Sequence, residues 1–470
     1  MWLTLLLAGF QLAGFLTSIK AILETRTSQG AIAWAVALNA IPWLAVPAYF
    51  VFGRSKFAGY IHSRRAETLK TSAVARQLVT DVEEFRLRLE TRQHETLLLE
   101  SLAKMPFTTH NRAELLIDGE ATFSAIFRAI AQAKDYVLVQ FYIIRDDGLG
   151  QRLRDALLAK AAAGVRCFVL FDEIGSGHLR SYCHTLRAGG VQIAPFDTTK
   201  GFANRLQINF RNHRKIVVVD GRVAFVGGHN VGDEYLGKDP GHGAWRDTHV
   251  EVEGPVVQGV QVSWLEDWKW ATDETPVLNW SPQRSPQSNT AALCLTSGPA
   301  DTLETATLFF LFAINSARER LWIASPYFVP DEQFISALQL AALRGVDVRI
   351  LIPEKPDNEL VRLSSYSYLT ETIPLGIRWY RHRRGFMHQK VMLVDNDYTA
   401  IGTANFDNRS FRLNFEVTMG FADHVMAQKV EAMLENDFRN SHWVTQEEIT
   451  DAGFWFRLRV RVARLLAPIQ

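Results

Sequence analysis

Two stretches of the chain carry the same side chains in the same order. His213-Arg-Lys215-Ile-Val-Val-Val-Asp220 and His388-Gln-Lys390-Val-Met-Leu-Val-Asp395 each lead, after six residues, into a small-residue turn ending in asparagine. Those turns are Gly227-Gly-His-Asn230 and Gly402-Thr-Ala-Asn405, and the histidines and the asparagines share one offset (388 − 213 = 405 − 230 = 175). A neutral imidazole can attack phosphorus and form a covalent intermediate, dividing one hard displacement into two easier ones. A second, protonated imidazole can give a proton to the departing alkoxide and later take one from the incoming alcohol. Two lysines and two asparagines supply fixed donors for the non-bridging oxygens. A lone His-x-Lys carries no information, whereas the duplicated set points to two half-sites forming one phosphate-handling centre. This chemistry needs no metal or other cofactor, and no HExxH, EF-hand loop or carboxylate cluster stands in the sequence.

The elements that must position these groups are hairpins. Ile216 to Val219 and Val391 to Val394 are continuous apolar runs and read as strands. Side chains two apart share a face, so His213 points with Lys215 and His388 with Lys390. Asp220-Gly221 is a strong two-residue turn signal, with Asp395-Asn396 in the matching place. That register makes His213 face Gly228 and His388 face Thr403. It brings Asn230 and Asn405 onto the same face, as phosphate-binding groups. The motif aspartates then fall at the turns, structural first and catalytic second. Each histidine also needs an acceptor to fix its tautomer. By order along the chain, Asp247 is the candidate for the first half and Glu416 for the second.

The similarity of the halves extends beyond the motif. Tyr136-Val-Leu-Val-Gln-Phe-Tyr142 and Leu321-Trp-Ile-Ala-Ser-Pro-Tyr327 each precede a helix and a second apolar strand, the pattern of a buried sheet covered by helices. The chain therefore reads as an internal duplication of an α/β unit, residues 108–280 and 291–446, joined by a Ser/Pro/Gln-rich linker at 281–290. Residues 56–107 read as a charged helical linker. At 470 residues two globular units are expected. A net charge of +1 disfavours a nucleic-acid partner. The three cysteines, Cys167, Cys183 and Cys294, read as buried or idle thiols.

The two ends of the chain are apolar. Trp2 to Ile19 has Gln11 as its only strongly polar residue, and Ala31 to Phe52 is interrupted by Asn39, Pro42 and Pro47. Both are about long enough for a hydrocarbon core of ~30 Å, so residues 1–55 read as two transmembrane helices. Pro42 and Pro47 could instead break the second into a re-entrant element. Arg54, Lys56, Arg64 and Arg65 follow the second segment and place the body of the protein in the cytoplasm. Residues 447–470 read as an amphipathic segment, with Arg457, Arg461 and Arg464 beside Phe454, Trp455, Leu458, Val462, Leu465 and Leu466, suited to a membrane interface.

The paired motif is the HxKxxxxD signature of the phospholipase D superfamily, with its GxxN tail present twice. Within it the chain resembles bacterial cardiolipin synthases, in its N-terminal segment with Ala33-Trp34, in Ser325-Pro-Tyr-Phe-Val-Pro330, in Trp245-Arg-Asp247, and in Asn408-Arg-Ser-Phe411 with Leu413-Asn-Phe-Glu416. The resemblance implies two tandem mixed-sheet α/β domains about a pseudo-two-fold axis. It implies His213, Lys215, Asp220, His388, Lys390 and Asp395 as the catalytic set, with His213 the nucleophile and His388 the acid/base. The residues alone leave that order open. It further implies phosphatidyl transfer between two phosphatidylglycerol molecules at a bacterial inner membrane. A hydrolase using water shares every catalytic residue, as do transferases using phosphatidylethanolamine or making phosphatidylserine. Oligomeric state has no signature.

Overall fold

The computed structural model describes residues 1–53, 56–57, 60, 80–88, 93–177, 179–199, 208–238, 241, 243–286, 288–450 and 453–467. In each half the apolar runs pair as parallel strands around a helix, Tyr136–Phe141 with Arg166–Asp172 and Arg320–Ala324 with Asp347–Pro353. Their side chains are buried almost throughout, because helices cover both faces.

Sixteen strands among the described residues form one sheet, and its order explains the duplication. From one edge the first half runs Gln192–Phe196, Arg166–Asp172, Tyr136–Phe141, Ile216–Val219, Val223–Gly227, Thr248–Glu253, Thr108–Ile117. The second half repeats that order reversed, from Thr290–Ser297 through Asn414–Ala422, Tyr398–Gly402, Val391–Val394, Arg320–Ala324 and Asp347–Pro353 to Arg378–His382. Thr108–Ile117 and Thr290–Ser297 meet antiparallel at the centre, where the pseudo-two-fold axis passes. One core on one face of the sheet spans both halves and takes in the helices Val257–Thr272 and His424–Arg439. The other face is divided into one core per half. All three cysteines are buried and free.

Residues 58–59, 61–79 and 89–92 of the expected helical linker lie outside the described residues. Phe57, at the start of that segment, is buried, its ring stacked on Phe210 at 5.4 Å and edge-on to Phe415 at 6.0 Å. An aromatic side chain in a charged stretch finds its apolar surroundings in the body. Gln93–Ala103 is a helix.

At the N-terminus one helix, Trp2–Glu24, contains a stretch long and apolar enough to cross a membrane. The second apolar segment differs from the continuous span expected of it. It forms two helices, Ser28–Ala40 and Pro42–Phe52, separated at Ile41. Proline has no N–H to give the carbonyl four residues back, and its ring clashes with a continuing helix. At the other end Phe454–Arg464 is helical and lies on the helix Glu359–Thr372 through Val460, Ala463 and Phe456. It leaves Phe454, Trp455, Val462 and Leu465 exposed.

Candidate active site

Two short parallel ribbons tie the halves together. Arg211–Asn212 runs beside Asn414–Phe415, and Trp245–Arg246 beside Phe386–Met387. His213 donates its backbone N–H to the Phe415 carbonyl at 2.9 Å, and His388 donates to that of Arg246 at 2.8 Å. One residue further along each ribbon stands a carboxylate beside the histidine. Nδ1 of His213 lies 3.0 Å from both oxygens of Glu416, and Nδ1 of His388 lies 2.7 Å from Oδ2 of Asp247. The assignment by chain order is therefore corrected. Asp247 orients the second-half histidine and Glu416 the first, because the ribbons that carry them join opposite halves.

The hairpin register is also corrected. Val219 pairs with Val223 and Val394 with Tyr398, one residue beyond the expected pairing. Asp220 and Gly221 both take positive φ and Arg222 donates back to the Val219 carbonyl, so the turn closes with one extra residue before the ladder resumes. The residues expected opposite the histidines serve the carboxylates instead. A Cβ on Gly228 would lie 2.0 Å from Oδ1 of Asp247, so glycine there admits the carboxylate. In the other half Thr403 donates its hydroxyl to Glu416 at 2.6 Å.

The two carboxylates are held differently. Glu416 also accepts from Ser410 at 2.8 Å and from the Asn414 amide at 3.2 Å. Burial works against its charge, but His213, Lys215 and the Thr403 hydrogen bond hold its carboxyl below the usual range. Asp247 accepts from the Thr248 amide and His388, and burial pushes it up. Both imidazoles are pushed down by burial. His213 falls to about 4, with Glu416 opposing and Lys215 and Lys390 assisting. His388 lies well below the usual range, with both lysines assisting. Both rings are thus neutral near pH 7, with Nδ1 committed to a carboxylate and Nε2 left for chemistry.

Lys215 and Lys390 are buried, and each donates to the carbonyl of its own motif histidine. Burial lowers both, Lys390 to about 8, and each is lowered or raised by groups of the other half. Aromatic rings wall the site. Tyr142 packs on His213 at 5.0 Å, while Trp245 and Tyr235 lie 5.4 and 6.0 Å from His388. Asn230 accepts from the Ile143 amide and donates to the Tyr235 hydroxyl, so its amide is largely engaged by the scaffold. Asn405 is buried too, and its Oδ1 has no partner among the described residues.

Asp220 and Asp395 stand apart from the imidazoles. Asp220 accepts from the amides of Lys134, Asp135 and Tyr136, and Asp395 from those of Arg318, Glu319 and Arg320. They sit at the turn ends of the hairpins and fix the loops that enter the central strands. Two further residues carried no recognisable signal, because they fill the variable place in His-x-Lys. Arg214 pairs with Asp267 at 2.8 Å, and Gln389 donates to Asp437 at 2.8 Å. Each thereby pins its motif to a helix of the shared core.

Two imidazoles, each oriented by a carboxylate from the other half and flanked by a buried lysine, define a two-domain phosphodiester-transfer enzyme of the phospholipase D type. A family model described as "Cardiolipin synthase, PLD-like domain" matches residues 126–241 and 310–438. Cardiolipin synthase A of Pseudomonas putida strain GB-1 is 50% identical over 468 residues, 99% of this chain and 98% of that protein. Cardiolipin synthase A of Pseudomonas aeruginosa strain LESB58 is 50% identical over 474 residues, 100% of this chain and 96% of that protein. The chain belongs to the bacterial cardiolipin synthase family. Its fold is similar to that of phosphatidylserine synthase from Haemophilus influenzae Rd KW20, with TM-score 0.58 and 16% identity over 84% of this chain and 99% of that one.

Proposed function

We propose that this chain is a cardiolipin synthase, a phosphatidyltransferase that joins two phosphatidylglycerol molecules. The crossed His–carboxylate pairs carry the reading. Nε2 of His213 attacks phosphorus, and the bond from phosphorus to the glycerol oxygen breaks. His388 gives that oxygen its proton, and glycerol leaves. The hydroxyl of a second phosphatidylglycerol then loses its proton to His388 and attacks the same phosphorus. The phosphorus–nitrogen bond breaks, giving cardiolipin and free His213. Burial and then the two lysines depress His388, and a phosphate anion beside Lys215 and Lys390 offsets the lysines' part, favouring the protonated acid.

The apolar N-terminal helix supports membrane association. We place the enzyme in the bacterial inner membrane with its catalytic body facing the cytoplasm. The test is incubation of the purified protein with labelled phosphatidylglycerol, alone and with phosphatidylethanolamine, and mass spectrometry of the products. Cardiolipin with an equivalent of glycerol is expected from phosphatidylglycerol alone. Phosphatidic acid without cardiolipin would show a hydrolase instead.

A further inference from the structure

We propose that Trp2–Glu24 crosses the bilayer while Ser28–Phe52 is a re-entrant hairpin that enters and leaves on the catalytic side. This rests on the membrane reading above and departs from a two-span anchor.

Both ends of the second apolar segment are tied to the same body. Before it, Arg26 pairs with Glu304 at 2.5 Å and Asp331 at 2.9 Å. Both acids also pair with Arg412, four residues from Glu416. After it, Lys56 donates to the Asp301 carbonyl, Phe57 donates to that of Pro299, and the Phe57 ring is buried in the core. Only three residues separate Phe52 from Lys56, a reach of about 14 Å at most. A segment whose two ends rest on neighbouring residues of one domain, 299–304, cannot separate those ends by a bilayer.

The interior of the hairpin shows where it turns. The Gln11 amide donates to the Asn39 carbonyl at 2.9 Å, so the break lies level with Gln11 of the first helix. Gln11 lies thirteen positions before Glu24, about 20 Å at 1.5 Å per residue, roughly two-thirds of a ~30 Å hydrocarbon core. Past Pro42 the chain runs back. Lys20 sits over the Phe50 ring, and Ala21, Leu38, Ala45 and Tyr49 form one small core. Broken backbone at membrane depth persists only where its polar groups are satisfied by protein. Gln11 donates to the Asn39 carbonyl there, and glycine at position 14 lets the first helix pack close against the break, since a Cβ would lie 2.1 Å from the Leu38 carbonyl oxygen. The arrangement also puts Lys20, Arg26 and Lys56 on one side, as the positive-inside bias requires; two full spans would strand the first two outside.

The experiment uses the full chain in bacterial cells, with single cysteines at Trp2→Cys, Ser28→Cys and Asp155→Cys. A membrane-impermeant maleimide is applied to spheroplasts and to inverted vesicles. The parent chain, with its three buried cysteines, gives the background. Ser28→Cys and Asp155→Cys labelled together in inverted vesicles, with Trp2→Cys labelled in spheroplasts, is the expected result. Ser28→Cys labelled from the side opposite Asp155→Cys overturns the re-entrant hairpin and leaves the catalytic reading intact. All three labelled from one side overturns the single pass. Loss of the protein from alkaline-washed membranes overturns the membrane reading itself.

Discussion

Oδ2 of Asp247 lies 2.7 Å from Nδ1 of His388, across 141 residues of chain and across the boundary between the two halves. Glu416 does the same for His213 across 203 residues. Each imidazole is oriented by the half to which it does not belong, so the catalytic pair exists only in the assembled sheet.

Glu416→Gln and Asp247→Asn should each lower kcat by about 10²–10⁴ with KM little changed, since binding groups stay in place. Glu416→Gln should abolish the covalent lipid adduct on His213, seen by mass spectrometry of acid-quenched enzyme. Adduct at the wild-type level in Glu416→Gln would refute the crossed assignment.

Gly228→Ala should behave like a lesion in the other half. The added methyl would occupy the place of Oδ1 of Asp247, so the carboxylate must leave His388. Activity should fall about 10²-fold or more, while circular dichroism remains that of the parent.

The motif aspartates should report on stability. Asp395→Asn weakens three amide contacts to the loop before Arg320–Ala324, and charge-assisted bonds of this kind contribute about 1.5–3 kcal/mol each. The unfolding midpoint should drop, with kcat per folded molecule within a few-fold of wild type at low temperature. A loss of kcat in fully folded protein would return Asp395 to the reaction.

Arg214→Met should cost about 3–5 kcal/mol, because it leaves Asp267 buried without its cation. Tyr60, Gln140 and Asn212 also donate to that carboxylate and do not replace the charge. Denaturant unfolding in detergent measures the loss, and Arg214→Met with Asp267→Leu should recover part of it.

The pH profile follows from Lys390. Burial lowers its ammonium to about 8, so it is cationic below that pH and loses its proton above it. A group with a depressed lysine pKa holds phosphate only on the acid side, so kcat/KM should fall as pH rises through about 8. Lys390→Arg should start from a lower rate but keep it through pH 9, because guanidinium stays charged.

Much of this was legible in the residues. The strands announced themselves as β-branched runs, and the duplicated His, Lys and Asn announced a shared site. Which carboxylate serves which histidine was not legible, because two-residue ribbons joining distant segments leave no periodicity to read. The hairpin register was missed by one residue, since Asp220-Gly221 signals a turn but not the extra residue at Arg222. The hydropathy of residues 31–52 describes a span, while Pro42 decides that it is two helices. Tyr142 stood only at the end of an apolar strand run, and nothing in the sequence marked Tyr235 as a wall of the site. Phe57 was hidden in a charged stretch.

The crossed carboxylates also set an order in time. On the ribosome His213 emerges 203 residues ahead of Glu416, and His388 follows Asp247 by 141. An N-terminal fragment already lodged in the bilayer therefore holds a histidine with no anion to orient it and no acid across the cleft. On the proposed reading His213 stays silent until the strand Asn414–Ala422 is made, so the fold itself times the onset of activity.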